Sequence, residues 1–190
     1  LLVMPDASPF RLKLTNMELS SLSKEGYRYT SSKTIAIITK VYVALTVVIF
    51  LALWAAGMSS FDALNHAFSI AATGGFSTRN LSIGYYNSDL INVLVIVFMA
   101  VAALHFGLIY AVFVTRSLKP MNNTVVKYYF GSILVMSVII MFSLKFQGGY
   151  ASWGRAAMDS VFTVVSYMTT AGFAICDNSI WPWLAGIVLI

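Results

Sequence analysis

Two stretches of this chain repeat each other 97 residues apart, and each ends a short helix-compatible run in Thr-x-Gly-Phe. The first, residues 61–77, reads FDALNHAFSIAATGGFS; the second, residues 158–174, reads MDSVFTVVSYMTTAGFA. The shift lays Asp62 on Asp159, Ser69 on Ser166, Thr73 on Thr170, Gly75 on Gly172 and Phe76 on Phe173. Both copies lie between long apolar runs. A helix of about twelve residues rises only about 18 Å, too little for a hydrocarbon core of roughly 30 Å, so each copy has to enter and turn back. Irregular backbone at membrane depth is tolerated only inside protein or around a water-filled cavity, because an unpaired carbonyl facing lipid is costly. A single Thr-x-Gly-Phe would be read as helix packing. Two in matched context point to pore loops. The alternative for the pair is a repeat in a carrier, whose glycines mark broken helices around a substrate.

Composition places this pattern in a membrane. Of 190 residues, 59% are hydrophobic and 10% charged, with mean hydropathy +0.82, against about 25% charged in an ordinary soluble domain. The single cysteine, Cys176, excludes an intrachain disulfide or a zinc site of paired thiolates and reads as a packing residue. The net charge of +5 is not gathered into a basic block interleaved with aromatics, so no nucleic-acid partner is expected. No metalloprotease, phosphate-loop, dinucleotide or nucleophile-elbow motif occurs, so no enzyme chemistry and no cofactor is expected. No cleavable signal peptide is visible, and both ends read as cut from a longer protein.

In order, residues 1–34 form a polar, basic segment assigned to the cytoplasmic side. A first outer helix starts near Ser31 or Ser32 and runs to Met58; Ser59 and Ser60 then offer an N-cap, with Asp62 favouring the positive helix end. A polar return carrying Tyr85 and Tyr86 leads to residues 90–115, long enough to recross. Arg116, Lys119 and Pro120 open a basic link, residues 128–146 span again, and residues 147–150 form a loop before a second pore helix over 156–169. Trp181 and Trp183 flank Pro182 where a last, truncated helix begins. The fold class is therefore an all-α membrane protein of repeated helix, pore-loop, helix units of the potassium-channel type. Residues 35–127 make one complete repeat and residues 128–190 make a second, truncated one. With the loops entering from outside, Arg11, Lys13, Lys24, Arg28, Lys33, Lys40, Arg116, Lys119 and Lys127 lie inside, and Arg79, Lys145 and Arg155 lie outside. That bias follows the positive-inside rule.

A dehydrated monovalent cation needs replacement oxygens, and backbone carbonyls can supply them in rings. That role falls to the carbonyls of Thr73, Gly74, Gly75 and Phe76 and of Thr170, Ala171, Gly172 and Phe173, with the Thr hydroxyls as further ligands. Phe76 and Phe173 are expected to pack outward as a cuff. Each pore helix directs its partly negative C-terminal end at the cation, while Asp62 and Asp159 stabilise the other end and concentrate cations at the mouth. His66 and His105 lack a second metal ligand at helical spacing and read as structural hydrogen-bonding residues. Arg79 reads as a solvated or salt-bridged mouth residue in preference to one that repels excess cations, and Gly107, within a crossing helix, allows close helix contact or a bend, with packing preferred. The sequons at Asn80 and Asn122 read as chance matches.

The segments ATGGFSTRNLSIGYYNS and SYMTTAGFAICDNSIWPW, with LWAAGMSSFDALNHAFSIAATGGFST as the strongest match, resemble the second and third repeats of the Trk/Ktr/HKT potassium-uptake superfamily, closest to the TrkH type. The resemblance covers roughly residues 33–190. It implies four repeats around one pore in the cell (inner) membrane, a filter glycine equivalent to Gly75 or Gly172 in each, and a homodimer with a pore in each copy. It also implies potassium as the transported ion and a cytosolic nucleotide-binding regulatory partner of the TrkA type. Glycine at both filter positions resembles potassium-selective members; plant relatives with serine there favour sodium. The first and fourth filters, the basic pore residue of the fourth repeat and the broken inner helix of the third lie beyond this sequence. A sodium- or proton-coupled symporter and a non-conducting subunit that keeps the repeat remain alternatives.

Overall fold

A computed structural model describes residues 31–146, 150–177 and 181. The basic segment up to residue 30, residues 147–149 and 178–180, and the stretch 182–190 where a last helix is expected lie outside the described residues.

Every regular element among the described residues is helical. Helix α1 (Ser31–Ala55) is almost wholly apolar on every face from Val41 onward. Leu45, Ile49 and Leu53, spaced by one turn, are buried, while Val43, Val47, Leu51 and Trp54 are exposed. One stripe thus faces protein and the rest presents the apolar surface a bilayer requires. The helix stops at Ala55 rather than continuing to Met58, because Gly57 turns left-handed at φ +103°. The Met58 N–H then reaches the Leu53 carbonyl and the Gly57 N–H the Trp54 carbonyl, both at 3.1 Å, closing the helix end in a Schellman motif.

The short helix α2 (Ser60–Ala71) starts at once, with the Ser59 hydroxyl accepting the Asp62 N–H at 3.1 Å. A 3-10 turn (Ser82–Tyr86) follows the first Thr-x-Gly-Phe. Next come α3 (Asp89–Ala102), α4 (Phe106–Thr115), α5 (Thr124–Phe146) and α6 (Trp153–Met168). The second short helix begins at Trp153, ahead of the Ala156 expected from sequence.

Ile35–Ala55 within α1 and the whole of α5 are long and apolar enough to cross a membrane, at mean hydropathy 2.4 and 1.9. The expected recrossing over residues 90–115 is not one helix. Helices α3 and α4 meet at 100° across a break at residues 103–105. The Ala103 N–H and Leu104 N–H close α3 onto the carbonyls of Met99 and Val101. His105 leaves helical geometry, and its Nδ1 accepts the Gly107 N–H at 3.0 Å, starting a new helix. A Cβ on residue 107 would lie 2.9 Å from that Nδ1, so Gly107 makes room for the cap at a bend, the second of its two expected readings, rather than serving helix packing. His105 is thus a hydrogen-bonding residue, but at a helix break and not within a crossing helix.

Helix α2 lies on α1, α6 lies on α5, and α3 packs against both short helices. Ile70, Ile83, Val95, Met99, Phe162 and Val164 belong to one buried cluster, and the Tyr129 hydroxyl ties α5 to the Ala100 carbonyl of α3 at 3.3 Å. This packing brings the C-terminal ends of α2 and α6 together.

Candidate functional site

Both short helices end in the same way. In the first, the Gly74 N–H bonds to the Ser69 carbonyl at 2.7 Å and the Thr73 N–H to the Ile70 carbonyl at 3.0 Å. In the second, the Ala171 N–H bonds to Ser166 at 2.9 Å and the Thr170 N–H to Tyr167 at 3.0 Å. Each pair forms a Schellman motif, whose left-handed position is normally glycine. Here it is threonine, at φ +49° for Thr73 and +56° for Thr170. A β-branched residue there is strained, by on the order of 1–3 kcal/mol, and such strain gathers at functional sites. Two residues further on, Gly75 and Gly172 also take positive φ, +70° and +76°.

Left-handed residues at alternate positions, 73 and 75 and again 170 and 172, stop the carbonyls from re-entering a helical ladder. Among the described residues, the carbonyls of Thr73, Gly74, Gly75, Phe76, Thr170, Ala171 and Gly172 accept no hydrogen bond from the protein. The carbonyl of Phe173 does accept one, from the Ser166 hydroxyl at 2.7 Å. Its counterpart Ser69 Oγ is buried without a partner among the described residues, so the first loop leaves open the carbonyl that the second one holds.

The two loops abut. A Cβ on Gly75 would lie 2.1 Å from the Ala171 carbonyl oxygen, whereas one on Gly172 would find its nearest neighbour, the Gly75 Cα, at 4.0 Å. The aromatic residues that follow are not equivalent, contrary to the expected cuff. Phe173 is buried with the His66 ring 6.0 Å away, while Phe76 is 81% exposed. Helix α2 supplies Phe173 with an aromatic neighbour, and no ring contact flanks Phe76 among the described residues.

A polar clamp holds the first return stretch to its helix. The Asp62 carboxylate accepts from the Thr78 hydroxyl at 2.6 Å and from Arg79 Nη2 at 2.8 Å. The fully buried His66 places Nδ1 2.7 Å from the Asp62 carbonyl and Nε2 2.9 Å from the Ser77 hydroxyl. A carbonyl only accepts, so Nδ1 carries the proton. The Ser77 oxygen also accepts the Arg79 N–H at 3.1 Å. In the second copy the residues matching His66, Ser77 and Arg79 are Thr163, Ala174 and Cys176, and the clamp is replaced. Asp159 there takes the Tyr150 hydroxyl at 2.9 Å and pairs with Arg155 Nε at 3.2 Å. Both aspartates are buried, Asp62 at 3% and Asp159 at 2% exposure. Asp62 fastens the stretch that follows its loop, Asp159 fastens Tyr150 and Arg155 at the start of α6, and neither is free to gather cations at a mouth. Arg79 is the salt-bridged residue of its two expected readings.

Sequence reasoning missed the partners that reach across the chain. The Ser82 hydroxyl accepts the Ala174 N–H at 3.3 Å, and the Gly84 N–H donates to the Ala174 carbonyl at 3.2 Å. The only local signal was a glycine within the polar return, a common mark of close backbone approach. Tyr150 as the partner of Asp159 carried no such signal.

Residues 3–146 match the TrkH family, described as a cation transport protein. The chain is 38% identical over 151 residues to the Trk system potassium uptake protein TrkH of Salmonella typhimurium, covering 79% of this chain and 31% of that protein. It is 33% identical over 128 residues to the Trk system potassium uptake protein TrkG of Escherichia coli, covering 67% and 26%. The crystal structure of the potassium transporter TrkH from Vibrio parahaemolyticus superposes with TM-score 0.79 at 31% identity, over 85% of this chain and 36% of that one. The chain thus spans about a third of the length of the TrkH proteins it matches.

Proposed function

This chain belongs to the TrkH family of cation transport proteins, and on that premise we propose that it forms part of a pore for potassium uptake, with Thr73, Gly74, Gly75 and Phe76 and Thr170, Ala171, Gly172 and Phe173 contributing carbonyl oxygens to the ion path. The observation that carries the reading is that seven of these eight carbonyls, all but that of Phe173, accept no hydrogen bond among the described residues and stand at two adjoining helix ends. An unpaired carbonyl at membrane depth is tolerated where it meets water or a cation, and a ring of such oxygens replaces the hydration shell of a passing alkali ion. The negative ends of α2 and α6 add a favourable field for positive charge. No enzymatic step is needed, and the ion is cargo rather than cofactor.

The apolar helices make this a membrane protein. Placement in the inner membrane with the loops entering from outside rests on the lysine and arginine bias, nine positions against three. A homodimer, and a cytosolic nucleotide-binding partner of the TrkA type, are proposed from the family resemblance, with the basic inner segments facing the partner. We take residues 35–127 as one repeat and residues 128–190 as part of the next.

The test is potassium uptake by the full-length protein in cells lacking other uptake routes. Gly75→Ser and Gly172→Ser are expected to lower the preference for potassium over sodium, measured as a ratio on the protein that reaches the membrane because a Cβ at either position also destabilises the loop. An unchanged preference in both overturns the assignment. Dependence of uptake on external sodium or on a pH gradient identifies coupled symport instead.

A further inference from the structure

The first return stretch reaches the second loop. Ser82, at φ +52°, opens the 3-10 turn Ser82–Tyr86. Its hydroxyl and the Gly84 N–H hold both backbone polar groups of Ala174, at 3.3 Å and 3.2 Å. A Cβ on Gly84 would lie 2.7 Å from the Ile175 carbonyl oxygen, so only glycine permits this approach. Ile83 is fully buried in the shared core. The Tyr86 ring meets His66 edge-on at 5.9 Å, and His66 in turn lies beside Phe173. On the outer side the turn is fastened to its own helix, because Arg79 lies 4.5 Å over the Tyr85 ring while paired with Asp62.

Resting on the reading of residues 170–173 as part of an ion filter, we propose that the Ser82–Tyr86 turn is a positioning element for that second filter, so that its ion preference is set in part by the preceding repeat. Phe173 is restrained on one side by Ser166 and on the other by the two bonds to Ala174. A carbonyl ring distinguishes alkali ions by where its oxygens sit and how freely they move. Releasing Ala174 frees the Gly172 and Phe173 carbonyls to adjust to a smaller ion.

The full-length protein carries the test, with the potassium-to-sodium permeability ratio measured alongside membrane abundance. Ser82→Gly keeps the positive-φ backbone at no steric cost and removes the acceptor. It is expected to lower the ratio about fivefold, the factor set by one net hydrogen bond, at wild-type abundance. Gly84→Ala is expected to lower it further. Ser82→Asn tolerates the same backbone, keeps an acceptor and is expected to restore the ratio. Leu81→Ala, at a 71% exposed neighbour, serves as the unchanged control. A merely structural turn would alter abundance and leave the ratio alone. An unchanged ratio in Ser82→Gly, in a protein whose preference Gly172→Ser does abolish, overturns the positioning role and leaves the filter reading standing. A protein in which neither Gly75→Ser nor Gly172→Ser alters the ratio overturns the filter reading itself, and this proposal with it.

Discussion

Thr73 and Thr170 occupy the same left-handed backbone conformation, at φ +49° and +56°, each at the glycine position of a helix-ending Schellman motif. Two β-branched residues 97 positions apart thus bear a strain that glycine would relieve. Thr73→Gly and Thr170→Gly are each expected to leave thermal stability unchanged or raise it by up to about 1 kcal/mol, since the strain removed offsets the added chain entropy. Potassium preference is expected to fall. Thermal unfolding of the purified full-length protein, paired with uptake, checks both; a loss of stability would show that the threonines serve packing.

The two filter glycines differ in what surrounds them. Gly75→Ala adds a Cβ 2.1 Å from the Ala171 carbonyl oxygen, while the nearest atom to a Cβ on residue 172 is 4.0 Å away. Both changes bear the cost of positive φ, about 1–2 kcal/mol. Gly75→Ala adds an overpacking cost of about 1–3 kcal/mol. Gly75→Ala is therefore expected to destabilise more than Gly172→Ala. Midpoints of thermal unfolding for the two variants decide this, and equal midpoints would contradict the close approach of the loops.

The Asp62–Arg79 pair joins a buried carboxylate to a guanidinium whose side chain is 39% exposed. Breaking a fully buried pair costs about 3–5 kcal/mol and a surface pair under about 1 kcal/mol. The half-wet geometry places Arg79→Gln between these, at about 1–2 kcal/mol. A double-mutant cycle with Asp62→Asn measures the coupling, and a value near zero would mean that Thr78 alone holds the carboxylate.

Tyr150 gives a pH dependence with a definite sign. Burial first, then the hydrogen bond to Asp159, pushes its phenol above the ordinary value. A raised folded-state pKa stabilises the fold while the phenol stays protonated. The contribution is full below about pH 10 and is lost as pH rises from there toward the folded-state value. The stability advantage of wild type over Tyr150→Phe, about 1 kcal/mol, is expected to stay flat to about pH 10 and then shrink. An advantage that grows above that pH would reverse the assignment of the proton.

Much of the site was legible because its determinants lie a few residues apart. The Ser59 cap, Asp62 in the first turn of α2 and the Thr-x-Gly-Phe bends all follow from local hydrogen-bond chemistry and backbone sterics. The break at residues 103–105 was hidden within an apolar run. Apolar content registers membrane depth but not direction, and the His105 cap that turns the chain by 100° is one side chain among many. The unequal burial of Phe76 and Phe173 was hidden for another reason: identical motifs meet different neighbours once the helices pack.

By itself, then, the order of residues determined two half-length helices that end in strained, glycine-bearing bends, because capping and φ preference act over a single turn. Only the tertiary structure decided which carbonyls stay open, that both aspartates are fastened inside, and that Ser82 reaches Ala174 across 92 residues. Those outcomes depend on how α2, α3 and α6 pack, and dispersion contacts between apolar faces leave no periodic trace from which that arrangement can be read.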